Sequence, residues 1–109
     1  MDRDLQYKAD ILEAIEKIEG SVSGMDYQNF VADFDVFDAC VRRLEIIGEA
    51  AKRLPPEFRA KLPGVPWKEI AGFRDKAIHH YASLNAAVVW ETIRTDLPEL
   101  KKILESQTT

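Results

Sequence analysis

A chain of 109 residues, 46% hydrophobic and 31% charged, has room for one buried core and not for two domains, so 1–109 is taken as a single domain. The net charge of −4 gives no overall attraction to nucleic acid, and the single cysteine, Cys40, cannot close an internal disulfide. No apolar run approaches the ~20 residues that span a membrane, and the acidic opening Met1–Leu5 does not fit a signal peptide, which makes the cytoplasm the expected compartment.

Apolar residues recur every three or four positions and nowhere alternate, so every element reads as helix. The first stripe is Leu5, Lys8, Ile11, Leu12, Ile15 and Ile18, with Gly20 as its stop and Ser21–Gly24 as a turn. Met25–Ala32 reads as a short helix with Tyr27, Phe30 and Val31 facing inward. Asp33 or Asp35 caps the longest helix, which carries Phe37, Cys40, Val41, Leu44, Ile47, Gly48 and Ala51 on one face and runs to about Leu54. Gly48 in mid-helix costs about 1 kcal/mol against Ala, a cost most easily explained by a backbone passing close by.

Pro55-Pro56 ends that helix, Glu57–Leu62 allows one or two turns, and Pro63-Gly64-Val65-Pro66 is a rigid connector. A further helix begins near Trp67. The last starts at Asn85 as N-cap and runs to about Glu105, with Pro98 expected to kink or restart it from Asp96, and Ser106–Thr109 expected to fray. The predicted fold is an all-α, up-and-down bundle of four main helices with short extra helices.

Charge is distributed unevenly. Residues 1–41 carry a net −7, residues 42–76 a net +4 and residues 77–109 a net −1. The basic middle is either a footprint for a polyanion or a solvated helical surface, and charge alone favours the second. The acidic first segment would suit a basic partner protein.

That basic stretch runs into Arg74-Asp75-Lys76-Ala77-Ile78-His79-His80-Tyr81, which contains R-x4-H-x-Y and both histidines of the chain. A guanidinium suits phosphate oxygens, and an imidazole gives or takes a proton near neutral pH. Together they are able to cut a phosphodiester without a metal. Arg74 falls within the apolar face formed by Trp67, Ile70, Ala71, Ile78 and Tyr81, where an unpaired arginine is costly. It therefore points into a cleft or interface that holds an anion, snorkels outward, or pairs internally with Glu45 or Glu49.

Arg74 and Tyr81 lie within ~20° of each other on an ideal helix, but Arg74 and His79 lie ~140° apart. Convergence needs either a loosened helix or two copies related by a two-fold axis; the second option predicts a homodimer. Two adjacent histidines and a distant cysteine do not offer zinc-ligand spacing, so no metal or cofactor is expected. Cys40, on an apolar face, does not suit a thiol nucleophile.

Trp67-Lys68-Glu69-Ile70-Ala71-Gly72-Phe73-Arg74-Asp75 with His79-His80-Tyr81, and upstream Arg43-Leu44-Glu45-Ile46-Ile47-Gly48-Glu49-Ala50, resemble the HEPN-domain toxins of the HepT-like group over essentially the whole chain. The resemblance implies a dimeric helical ribonuclease that needs no metal, the toxin of a type VII toxin–antitoxin pair. Its implied partners are an RNA substrate and a minimal nucleotidyltransferase antitoxin, with no membrane. It assigns Arg74 and His79 as catalytic, Asp75 as supporting, and Tyr81 as acceptor of AMP from the antitoxin. Asp75 departs from the asparagine more usual after the arginine and lacks an amide's donors, which bears on the rate of cleavage. The alternative is a non-catalytic helical module that binds nucleotides or protein.

Overall fold

The computed structural model describes residues 2–72 and 85–106; the statements below concern those residues. They are helical, with no strand among them. In chain order they form α1 (Asp2–Val22), α2 (Tyr27–Ala32), α3 (Phe34–Arg53), α4 (Pro56–Ala60), the opening of α5 (67–72), α6 (Ala86–Glu91), a π-helical turn (Thr92–Asp96) and α7 (Leu97–Ser106). No described helix is long and apolar enough to cross a membrane.

The core is a seam between α1 and α3. Ile11, Ala14, Ile15, Ile18 and Val22 on α1 are buried, as are Cys40, Val41, Leu44, Ile47, Ala50 and Ala51 on α3. Burying a residue such as Ile or Leu is worth roughly 1.5–3 kcal/mol. The two helices run antiparallel: Tyr7, early in α1, hydrogen-bonds Arg53 at the end of α3, and Ser21, late in α1, accepts from Arg43 Nη1 at 3.0 Å. Leu97, Leu100 and Leu104 of α7 extend the same core. A bond from Lys101 Nζ to Glu19 Oε1 at 2.9 Å ties α7 to the end of α1. Phe30 of α2 closes the far end against Trp90 of α6 and Phe37 of α3, at ring-centroid distances of 4.9 and 5.7 Å.

Several sequence expectations are corrected. Gly20 does not stop α1, because Val22 lies one helical turn beyond Ile18 and is buried, so the apolar stripe continues through the glycine. The turn is set by Gly24, whose φ of +77° is left-handed, with Met25 N donating to Val22 O at 2.9 Å. Leu5, expected in the stripe, is exposed.

The short helix begins at Tyr27 rather than Met25. Asp26 caps it in a reciprocal box with Asn29, accepting from Asn29 N at 2.8 Å. Of its three expected inward residues only Phe30 is buried; Tyr27 and Val31 are exposed, because a six-residue helix lying across the bundle end has a narrow inner face.

Asp96 does not cap a restarted helix, and Pro98 does not break one. The backbone is continuous from Ala86 to Ser106 and widens into the π turn just ahead of the proline, with Leu97 N donating to Thr92 O. Pro98 has no N–H to give back, and its ring would collide with the Arg94 carbonyl in a regular helix; the wide turn relieves both. Asp33, rather than Asp35, is the cap of α3, accepting from Val36 N at 3.1 Å.

Gly20, inside α1, and Gly24, in the turn after it, should respond oppositely to alanine. A Cβ at Gly20 would meet no atom within 4 Å and its φ is ordinary, so Gly20→Ala should stabilise by about 0.5 kcal/mol. Gly24→Ala forces a side chain into φ +77° and should cost about 1 kcal/mol. Thermal melts of the two variants check the signs.

Candidate active site

Arg74, Asp75, His79 and Tyr81 lie in 73–84, outside the described residues. The structure defines the two anchors from which that segment departs. The upstream anchor is Trp67. Its indole Nε1 donates to the carbonyls of Arg59 at 3.2 Å and Leu62 at 3.1 Å, pinning the start of α5 to the end of α4. The connector tightens this joint: Val65 N donates to Leu62 O at 3.2 Å, Trp67 N to Val65 O at 2.8 Å and Ile70 N to Pro66 O at 3.1 Å. Phe58 and Val65 are buried beneath it. Pro56 at the first position of α4 and the prolines of the connector fix φ, so little conformational entropy remains to be lost there.

The downstream anchor is Asn85, whose side chain accepts from Ala87 N at 2.8 Å and starts α6. One turn on, Val89 is fully buried and Trp90 stacks on Phe30. Arg94 lies over the Trp90 ring at 5.4 Å. Between the anchors, a cavity of about 230 Å³ is bounded by Leu44 and Ile47 of α3, Ile70 of α5, and Val88, Leu97 and Leu100 of the C-terminal helices.

The basic middle of the chain resolves into two kinds of cation. Arg42 and Arg53 are spent on their own helix, bonded to Glu45 at 3.2 Å and Glu49 at 3.0 Å, and these exposed pairs contribute little to stability. Glu45 and Glu49, the acids expected to face Arg74 if it is internally paired, thus each hold a neighbouring arginine of α3. Arg59 and Lys68 make no such pair among the described residues; both line a groove on the α4–α5 side together with Lys52 and Trp67. Neither Arg59 nor the Trp67 lock was singled out from sequence; the indole's carbonyl partners had no sequence signal beyond the proline-bounded connector.

Cys40 is fully buried on the α3 face. Burial pushes its thiol up to about 11, opposed only in part by Arg43, so it is a poor nucleophile at neutral pH. Among the described residues no three His, Cys, Asp or Glu side chains gather to hold a metal; both histidines lie outside them.

The described helices form an all-α bundle, and the sequence between its two anchors carries R-x4-H-x-Y. The Ribonuclease HepT-like profile matches residues 11–106. A provisionally named RNase of Caldanaerobacter subterraneus subsp. tengcongensis is 51% identical over 96 residues, 88% of this chain and 86% of its own length. A provisionally named RNase of Methanocaldococcus jannaschii is 44% identical over 96 residues, 88% of this chain and 79% of its own. A protein of Thermococcus cleftensis named a probable ribonuclease HepT is 43% identical over 95 residues, 87% of this chain and 86% of its own. No solved structure matches the chain significantly. The chain belongs to the HepT-like ribonuclease family.

Trp67→Phe keeps the ring and removes the N–H shared by two carbonyls. It should cost about 1 kcal/mol, roughly 4–8 °C in Tm for a chain this size, and lower RNA cleavage with it; a melt and a cleavage assay on the same sample read both. With the Cys40 thiol raised from 9.0 to about 11 in the folded state, its contribution to stability is complete below pH 9 and is lost as pH rises toward 11. Cys40→Ala should flatten that part of the stability–pH curve in denaturant titrations.

Proposed function

We propose that this chain is a metal-independent endoribonuclease and the toxin of a type VII toxin–antitoxin pair, silenced by AMP addition to Tyr81. The observation that carries the reading is the family match over residues 11–106, which spans R-x4-H-x-Y intact at Arg74, His79 and Tyr81.

In this mechanism His79 acts as a proton carrier. A neutral imidazole takes the proton of the ribose 2′-hydroxyl, the 2′-oxygen bonds to phosphorus, and the bond from phosphorus to the 5′-oxygen breaks. That leaving oxygen takes a proton from an imidazolium. Arg74 holds the non-bridging phosphate oxygens and stabilises the charge that develops on them. Asp75 orients Arg74 or His79. The ~140° between Arg74 and His79 on a regular helix is met by a homodimer, in which two copies bring two R-x4-H motifs to one cleft and supply base and acid from different chains. DNA, without the 2′-hydroxyl, is not cut.

On an ideal helix positions 74 and 81 fall within ~20° of each other, and an AMP on the Tyr81 hydroxyl would then place a bulky anion against the guanidinium and compete with the RNA phosphate. The nucleotidyltransferase antitoxin is the partner that adds it: the Tyr81 oxygen bonds to the α-phosphorus of ATP, the phenol proton is lost and pyrophosphate leaves.

His79→Ala should abolish cleavage of RNA while leaving helicity unchanged by circular dichroism; retained cleavage would sink the catalytic assignment. Intact mass after co-expression with the nucleotidyltransferase should rise by whole AMP units in the wild type and not in Tyr81→Phe. A mass gain that persists in Tyr81→Phe would place the modification elsewhere.

A further inference from the structure

The groove on the α4–α5 side has no part in the chemistry assigned above. It measures about 800 Å³, and Lys52, Arg59, Trp67, Lys68, Ala71 and Gly72 shape it. Its described lining holds three cations and no carboxylate, in a chain whose net charge is −4. Such a local concentration of positive charge is unfavourable without a counter-charge, yet Arg59 and Lys68 have no carboxylate partner among the described residues. Arg59 Nε is inaccessible and makes no hydrogen bond among the described residues, and the backbone carbonyl of Arg59 is held by Trp67.

The opposite wall is made to be approached. Ala71 and Gly72 are small, and a Cβ at Gly72 would meet nothing within 4 Å. Gly72 stands two positions before Arg74 in the sequence. Basic side chains, an aromatic side chain and small residues around one groove form a surface suited to a nucleic-acid strand.

We propose that this groove binds the sugar–phosphate backbone of the RNA substrate beside the point of cleavage, with Arg59 and Lys68 on its phosphates. The inference rests on the ribonuclease reading and adds where the strand runs. It gives an acidic chain a way to bind a polyanion: the described lining of the groove is basic although the net charge of the chain is −4. Arg59 and Lys68 are positioning residues that hold substrate and take no part in proton transfer.

The test uses the full-length protein and a fluorescently labelled 2′-O-methyl RNA oligonucleotide, which binds but lacks the attacking hydroxyl. Anisotropy titrations at several salt concentrations give Kd and its salt slope for wild type, Arg59→Gln, Lys68→Gln, Lys68→Arg and, as a control outside the groove, Lys17→Gln. The two glutamine variants should each weaken binding and reduce the slope of log affinity against log salt by about 0.7–1. Lys68→Arg and Lys17→Gln should match wild type.

Unchanged Kd and slope in both glutamine variants overturn the proposal. So does a loss in Lys68→Arg as large as in Lys68→Gln, or a loss of antitoxin binding with RNA binding intact. Cleavage by His79→Ala, measured separately on unmodified RNA, reports on the catalytic reading alone: its loss with unaltered groove variants would retain the site and remove the groove, and the converse would do the reverse.

Discussion

The antiparallel seam between α1 and α3 is the constraint on which everything beyond residue 54 depends. Ile11, Ile15 and Ile18 meet Cys40, Leu44 and Ile47 with almost no exposed surface, and α7 lays Leu97, Leu100 and Leu104 on the same interior. The polar ties at its ends, Tyr7 with Arg53, Arg43 with Ser21 and Lys101 with Glu19, add little energy individually. They do fix register, because each joins residues far apart in sequence. A seam of this kind holds the end of α3 still, and α4, the connector and the Trp67 lock are built outward from it.

The second constraint is local. A segment that performs chemistry needs its ends held more firmly than its own contacts can manage. Here one end is set by an indole N–H shared between two carbonyls, and the other by an asparagine cap followed at once by Val89 and Trp90 in the core. Neither anchor uses a residue of R-x4-H-x-Y. Support on either side of the segment is thus carried by residues outside the motif.

Much of this was legible in the sequence, for identifiable reasons. The α3 stripe was read correctly because seven apolar positions repeat at helical spacing with a single cap choice to settle. Gly20 misled because a glycine was weighed above the apolar residue two positions beyond it; burial of Val22 outweighs the cost of one exposed glycine. The π turn before Pro98 was invisible, since proline announces a missing donor without saying whether the chain breaks or widens. The R-x4-H-x-Y motif stands out in the sequence because it holds both histidines of the chain. That Arg59 and Lys68 have no carboxylate partner among the described residues was not legible, because sequence counts charges without showing which of them neighbouring acids consume, as Glu45 and Glu49 consume Arg42 and Arg53.

The account stands on metal-free attack by the ribose 2′-hydroxyl, driven by His79 and Arg74. The most direct measurement is mass spectrometry of the fragments released from an RNA oligonucleotide by the purified protein in excess EDTA. The account predicts cleavage under these conditions, with a 2′,3′-cyclic phosphate on the upstream fragment and a 5′-hydroxyl on the downstream one. Cleavage that stops when metals are chelated, or fragments ending in a 3′-hydroxyl and a 5′-phosphate, would contradict it.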